Sequence, residues 1–339
     1  MFCIQTGNIA IDLPLNILIF IVGTAMLVKG SDLFVDAAAN IARSWGVSEL
    51  VIGLTLVSIG TSLPELASSV YAGIEGQGDF IIGNIVGSNV TNISLILAIG
   101  ICGVGTMVFD RKMLNRDGIF MILVYLVCVG LFSIPLKSTP EKVMRGIDFR
   151  GGIILLALCA AYLFILFRQS SSQQPESGEK IERKSKLWID PAILVMGIIL
   201  ITAGSKGMVD PAVWVAQRLG VSMLVISSTI VAFGTSVPEL AVTIAGLVKK
   251  RNDIALGNII GSNIFNILLI FGVTSCITPL PLDLNGIGIF NLTAMGATGA
   301  ALILFMILGR NTLKRAYGFL LLLMYIAFMV CNCLAALAV

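Results

Sequence analysis

Ten apolar runs constrain this chain more than anything else in it: 13–36, 47–74, 80–105, 117–136, 149–167, 189–209, 220–248, 254–278, 287–308 and 313–336. Each has about the twenty residues that a bilayer core requires. Inside lipid a backbone must satisfy its own N–H and C=O groups, which a helix does within one segment. The composition agrees, with 57% hydrophobic residues, 12% charged residues and a mean hydropathy of +0.99. A soluble domain carries about 25% charged residues. The expected fold class is an all-α polytopic membrane protein whose solvent is the lipid bilayer.

One hydrophilic stretch, 168–188, divides the runs five and five. Its centre, Ser170-Ser171-Ser172-Gln173-Gln174-Pro175-Glu176-Ser177-Gly178, has the composition of a flexible connector. The two sides of it repeat each other. Gly60-Thr61-Ser62-Leu63-Pro64-Glu65 returns as Gly234-Thr235-Ser236-Val237-Pro238-Glu239, and Gly83-Asn84-Ile85-Val86-Gly87-Ser88-Asn89 returns as Gly257-Asn258-Ile259-Ile260-Gly261-Ser262-Asn263. The offset is constant, since 239 − 65 = 174 and 262 − 88 = 174. It extends upstream through Gly23 with Gly197, Gly30-Ser31 with Gly204-Ser205, Asp36 with Asp210, and Gly46-Val47-Ser48 with Gly220-Val221-Ser222. Five spans per copy is an odd number, so the second copy enters the membrane from the opposite side. The expected organisation is ten transmembrane helices as two inverted repeats, 1–167 and 189–339, joined by the 168–188 connector.

Loop charge orients the chain. With the N-terminus outside, the inner loops carry Arg43, Arg111, Lys112, Arg116, Arg168, Lys180, Arg183, Lys184, Lys186, Lys249, Lys250, Arg251, Arg310, Lys314 and Arg315, against Lys137, Lys142, Arg145, Arg150 and Arg218 outside. Both termini are expected outside the cell (inner) membrane, with the connector in the cytoplasm and no sign of a cleaved signal peptide. The net charge of +3 comes from these short loops and implies no nucleic-acid partner.

Absences exclude much of the remaining chemistry. The chain has no histidine, which removes imidazole triads, imidazole zinc sites and histidine proton relays. Its seven cysteines form no CxxC and read as small hydrophobes. No cofactor is expected.

What remains is a set of oxygens at membrane depth. An ionisable residue there is costly and points to function. In a helix, Thr61 and Glu65 share a face, with Ser62 three residues before the acid. Pro64 lacks an N–H and its ring leaves the Gly60 carbonyl unbonded, so broken helices are expected at Gly60 and Gly234, facing one cavity. Ser88 and Asn92 add oxygens from the next span; Thr235, Ser236, Glu239, Ser262 and Asn266 repeat the set. These are hard donors, suited to calcium, which takes six to eight oxygens, more than to magnesium, which keeps its waters. The two glutamates carry the charge that one divalent cation neutralises. The glycines of the second motif also suit a tight helix crossing. Asp36 and Asp210 read as solvated helix ends, and a lone proline kink with a bonded glutamate is the bland alternative for either copy of the first motif.

At these motifs the chain resembles the calcium/cation antiporter superfamily, most closely its prokaryotic sodium/calcium exchanger branch, over nearly the whole length. The resemblance implies electrogenic exchange of sodium for calcium by alternating access, with the first span of each half sliding against the core. It implies a ligand set of Thr61, Ser62, Glu65, Ser88, Asn92, Thr235, Ser236, Glu239, Ser262 and Asn266, with backbone carbonyls from Ser58 and Ala232. Some members of the superfamily carry aspartate where this chain has Asn266. With two acids and not three, potassium co-transport is disfavoured. Calcium would engage both glutamates at once, while sodium ions divide the same oxygens. Proton/calcium (or other divalent cation) exchange is the alternative. A cation channel would more often build a continuous polar file, and an intramembrane hydrolase lacks a base.

Overall fold

The computed structural model describes residues 3–45, 47–76, 78–138, 143–170, 189–218, 234, 236–282 and 287–337. Among them, eight helices are long and apolar enough to cross a membrane, and a bent pair, Glu49–Thr61 with Leu63–Ile74, makes a ninth. The run expected at 220–248 contributes the apolar helix Val237–Val248; 219–233 and 235 fall outside the described residues. The 168–188 connector lies mostly outside them as well.

Burial sorts these helices into a centre and a rim. Of the most apolar window in each, 94% is buried in Asn252–Ile277 and 78% in Phe80–Val104, but only 22% in Ile9–Ala42 and 17% in Arg315–Leu334. The two helices that carry the second motif are therefore the core, and the longest apolar helix lies outside it. That helix, Ile9–Trp45, pairs with Ile189–Arg218 along its length. A Cβ built on Gly204 would lie 2.6 Å from the Leu27 nitrogen and 2.7 Å from the Gly23 oxygen, so the backbones touch. Further along, Gly197 packs on Phe34, and Asn40 Nδ2 donates to Asp190 Oδ1 at 3.1 Å. Contacts that fall in one chain as they rise in the other mean the two helices run antiparallel.

Two features of local structure go beyond the expected helices. The membrane-crossing elements are all helical, and the described connections between them add five short strands: β1 (Thr106–Val108), β2 (Pro135–Ser138), β3 (Val143–Ile147), β4 (Leu280–Leu282) and β5 (Thr312–Lys314). Antiparallel β1 pairs with β5, and β3 lies between β2 and β4. These connections pair because backbone groups leaving a helix bundle still need partners. Both sheets join the first half of the chain to the second. Asp36 is also not at a helix end, since its helix runs on to Trp45. It is an exposed side chain within the helix, paired with Lys249 at 2.7 Å.

The connections meet in two groups. Lys249 reaches Asp36, Arg251 bonds Glu49, Asn252 Nδ2 donates to the Val108 carbonyl, and β1 pairs with β5. The other group has β2, β3 and β4 together, with Gly78 against Pro281.

Candidate ion-binding site

The first motif sits at the bend. Ser62 has φ −86° and ψ 5°, between the Ser58–Thr61 turn and the Leu63–Ile74 helix, and the two arms meet at 46°. The break is thus two residues before Pro64, which occupies the first turn of the new helix, where its missing N–H costs nothing. The expected break at Gly60 is corrected accordingly. Gly60 remains helical, and a Cβ there would press on Ile198 and Phe34 of the peripheral pair at 3.1 and 3.3 Å. In the second half, Pro238 cannot bond the Gly234 carbonyl, and the Ser205 hydroxyl donates to it instead at 3.1 Å. That carbonyl is held by the Ile189–Arg218 helix, so it does not face a cavity as a loose acceptor.

The structure brings the two halves of the predicted set together. Ser62 Oγ donates to Glu239 Oε1 at 3.0 Å and lies 3.2 Å from Ser262 Oγ. Ser236 Oγ lies 3.4 Å from Ser88 Oγ. The 174 offset turns Ser62·Ser262 into Ser236·Ser88, so the contacts exchange as the repeat requires. Thr61 Oγ1 has two acceptors for its one proton, Asn258 Oδ1 at 3.1 Å and the Ser58 carbonyl at 3.3 Å. The Ser58 carbonyl accepts the Ser62 N–H at 3.1 Å. Glu65 and Glu239 are each 1% exposed and lie within electrostatic reach of one another. Ala232 and Thr235 lie outside the described residues.

Sequence reasoning missed the helix geometry around the asparagines. Asn92–Leu97 and Asn266–Phe271 are π-helical, and each wide turn begins on the expected ligand. A π turn gives up regular i→i−4 bonding and turns side chains to new directions; such turns gather at functional sites. No residue pattern in the two segments marks them. The asparagines Asn84, Asn89, Asn258 and Asn263 were also left out of the expected set, although their repetition at the same offset was visible. Asn258 Nδ2 lies 3.3 Å from Thr243 Oγ1, and Asn84 Nδ2 lies 3.4 Å from Ser69 Oγ, the same contact in each half. The expected tight crossing is present in the second half, where a Cβ on Gly261 would meet Ser58 Oγ at 2.5 Å and the Leu54 oxygen at 2.7 Å.

Buried oxygens without a partner mark the centre. Among the described residues these are Glu65 Oε2, Asn92 Oδ1, Glu239 Oε2, Asn266 Oδ1 and, apart from them, Asn291 Oδ1. A buried acceptor left unbonded costs about 1–3 kcal/mol. Four such atoms, two per half, lie on residues expected as ligands from the sequence. Among the described residues no three of His, Cys, Asp and Glu gather, so this set relies on two acids and neutral oxygens.

A multi-pass helical bundle around a buried, oxygen-lined centre defines a membrane protein that handles cations. The chain belongs to the sodium/calcium exchanger protein family, whose model matches residues 15–168 and 189–334. It is a transporter family and not a class of enzyme; its members carry sodium and calcium ions without a cofactor. The putative antiporter CaxA of Alkalimonas amylolytica is 34% identical over 313 residues, covering 91% of this chain and 95% of that protein. The sodium/calcium exchanger MaX1 of Methanosarcina acetivorans is 35% identical over 354 residues, covering 94% and 98%. The solved structure of the sodium-calcium exchanger NCX_Mj soaked with 2.5 mM Na+ and 0.1 mM Ca2+ superposes with a TM-score of 0.79 at 29% identity, over 93% of this chain and 98% of that one.

Proposed function

We propose that this protein is a secondary active antiporter that exchanges sodium for calcium across the cell (inner) membrane by alternating access at one midplane site. The carrying observation is the set of four unpartnered buried oxygens on Glu65, Asn92, Glu239 and Asn266. Calcium takes both carboxylates and completes its six to eight oxygens from among Thr61, Ser62, Ser88, Asn92, Thr235, Ser236, Ser262, Asn266 and the Ser58 and Ala232 carbonyls. Sodium ions divide the same oxygens. The two cargoes exclude each other, and the empty site, with two buried charges, is slow to change sides because burying an unpaired charge is costly. Coupling follows from that competition.

The same reading takes ten spans as two inverted five-helix repeats, 1–167 and 189–339, around the 168–188 cytoplasmic connector, with both termini outside. Three observations support it. The first helices of the two halves run antiparallel. The serine contacts exchange under the 174 offset. The connections that cluster around Lys249, Arg251, β1 and β5 are the ones assigned inside by charge, and those around β2, β3, β4 and Gly78 are the ones assigned outside.

Calcium flux into proteoliposomes under an imposed sodium gradient, with a proton gradient as the control, tests the function. Sodium-driven flux is expected. Flux driven by protons and not by sodium would replace this reading with proton/calcium exchange.

A further inference from the structure

Asn266 and Asn92 are repeat counterparts, yet the structure treats their amides differently. The Asn266 Nδ2 donates to Asn89 Oδ1 at 2.9 Å, and its Oδ1 is buried without a partner. The direction of that bond is set by backbone. Asn89 Nδ2 lies 3.3 Å from the Asn263 carbonyl, which can only accept. Asn89 must therefore turn its oxygen the other way, towards Asn266, and Asn266 must answer with its nitrogen. Its own oxygen is then the end left buried without a partner. All three asparagines are 0–1% exposed, so no solvent can substitute in the chain of bonds.

The other half lacks the lock. By the 174 offset the partner of Asn92 would be Asn263, but Asn263 Nδ2 donates to the Ile259 carbonyl at 2.7 Å and its Oδ1 accepts the Tyr125 hydroxyl at 2.7 Å. At the same spacing of 299 − 125 = 174 from Tyr125 the sequence has Gly299. No hydroxyl therefore competes for Asn89 Oδ1, and the Tyr125 ring lies against Gly299, 2.8 Å from where its Cβ would be. One site amide is held by a second asparagine, and the other has no hydrogen bond among the described residues.

We propose that Asn89 is a positioning residue that makes Asn266 present its amide oxygen, and not its nitrogen, to the transported cation. This rests on the antiporter reading, in which Asn266 is a ligand. Without Asn89 the amide has two orientations, and one aims N–H groups at a cation.

The test is the calcium Kd of the purified full-length protein in detergent micelles, by calorimetry, for Asn89→Leu alone and in an Asn266→Asp background. Loss of the orienting bond should weaken calcium binding by about tenfold in the native background. With Asn266→Asp the side chain has oxygen at both ends, so orientation no longer matters. One of those oxygens also faces Asn89 Oδ1, and Asn89→Leu should then leave Kd within about twofold or tighten it. Asn89→Ala, which removes the same acceptor with a smaller side chain, should give the same pattern if the leucine variant does not fold. Equal weakening in both backgrounds would mean that Asn89 acts through the fold alone and would overturn the proposal. So would an unchanged Kd for Asn89→Leu beside a weakened one for Asn266→Leu. An unchanged Kd for Asn266→Leu would instead remove Asn266 from the ligand set, and the site assignment with it.

Discussion

Glu239→Gln removes one of two charges from the centre while keeping the side chain's shape. Glu239 is 1% exposed, Ser62 holds its Oε1 at 3.0 Å, and its Oε2 is unpartnered. At an effective dielectric of about 20, unit charges about 4 Å apart interact by about 4 kcal/mol, and a divalent ion doubles that to about 8. The glutamine oxygen and its smaller desolvation cost offset more than half, leaving a loss of about 3 kcal/mol, or a little over a hundredfold in calcium affinity. The Coulomb part scales with the ion's charge, so sodium should lose about half as much, close to tenfold. The assay is sodium-driven calcium uptake into proteoliposomes, with sodium affinity measured in parallel. Calcium uptake should collapse, sodium binding should persist, and Glu239→Asp should retain more transport than Glu239→Gln. Glu65→Gln should behave alike. Wild-type calcium transport in either glutamine variant would refute the site, and equal losses for the two ions would refute the electrostatic account.

Other perturbations separate packing from charge. Gly261→Val places a side chain where even a Cβ meets the Leu54 oxygen at 2.7 Å, so the variant should lose about 1–3 kcal/mol or more of stability, read as a lowered Tm in detergent together with lost transport. Tyr125→Phe leaves Asn263 Oδ1 without the hydroxyl that donates to it at 2.7 Å and should cost about 1–3 kcal/mol in the same measurement. Asp36→Asn should reduce transport less than about threefold, because an ion pair whose carboxylate is 62% exposed is worth at most about 1 kcal/mol and is screened by salt. Severe loss of transport in Asp36→Asn would make the Asp36–Lys249 pair a gate.

The sequence by itself determined the membrane-spanning class, the two copies of each motif at one offset, and the number of acids, because hydrophobic run length and repeated spacing are local properties of the chain. Four of the buried oxygens that stand without a partner, on Glu65, Asn92, Glu239 and Asn266, are on residues the repeated motifs single out. Only the tertiary structure decided how they meet. Ser62 bonds Glu239 from 177 residues away, and nothing near either residue specifies that partner. The helix break falls at Ser62 and not at Gly60, since the proline needs only a first-turn position and the packing chooses where the turn begins. The Gly234 carbonyl, freed by Pro238, is claimed by a serine on another helix. The β1·β5 and β3·β4 pairings join short connections from opposite halves of the chain. The π turns at Asn92 and Asn266 forgo regular helical bonds, a local cost that only surrounding packing can offset. The sequence shows two identical asparagines at matched positions; the hydrogen bonds that distinguish Asn266 from Asn92 come from a backbone carbonyl and a second asparagine that meet them only in the folded protein.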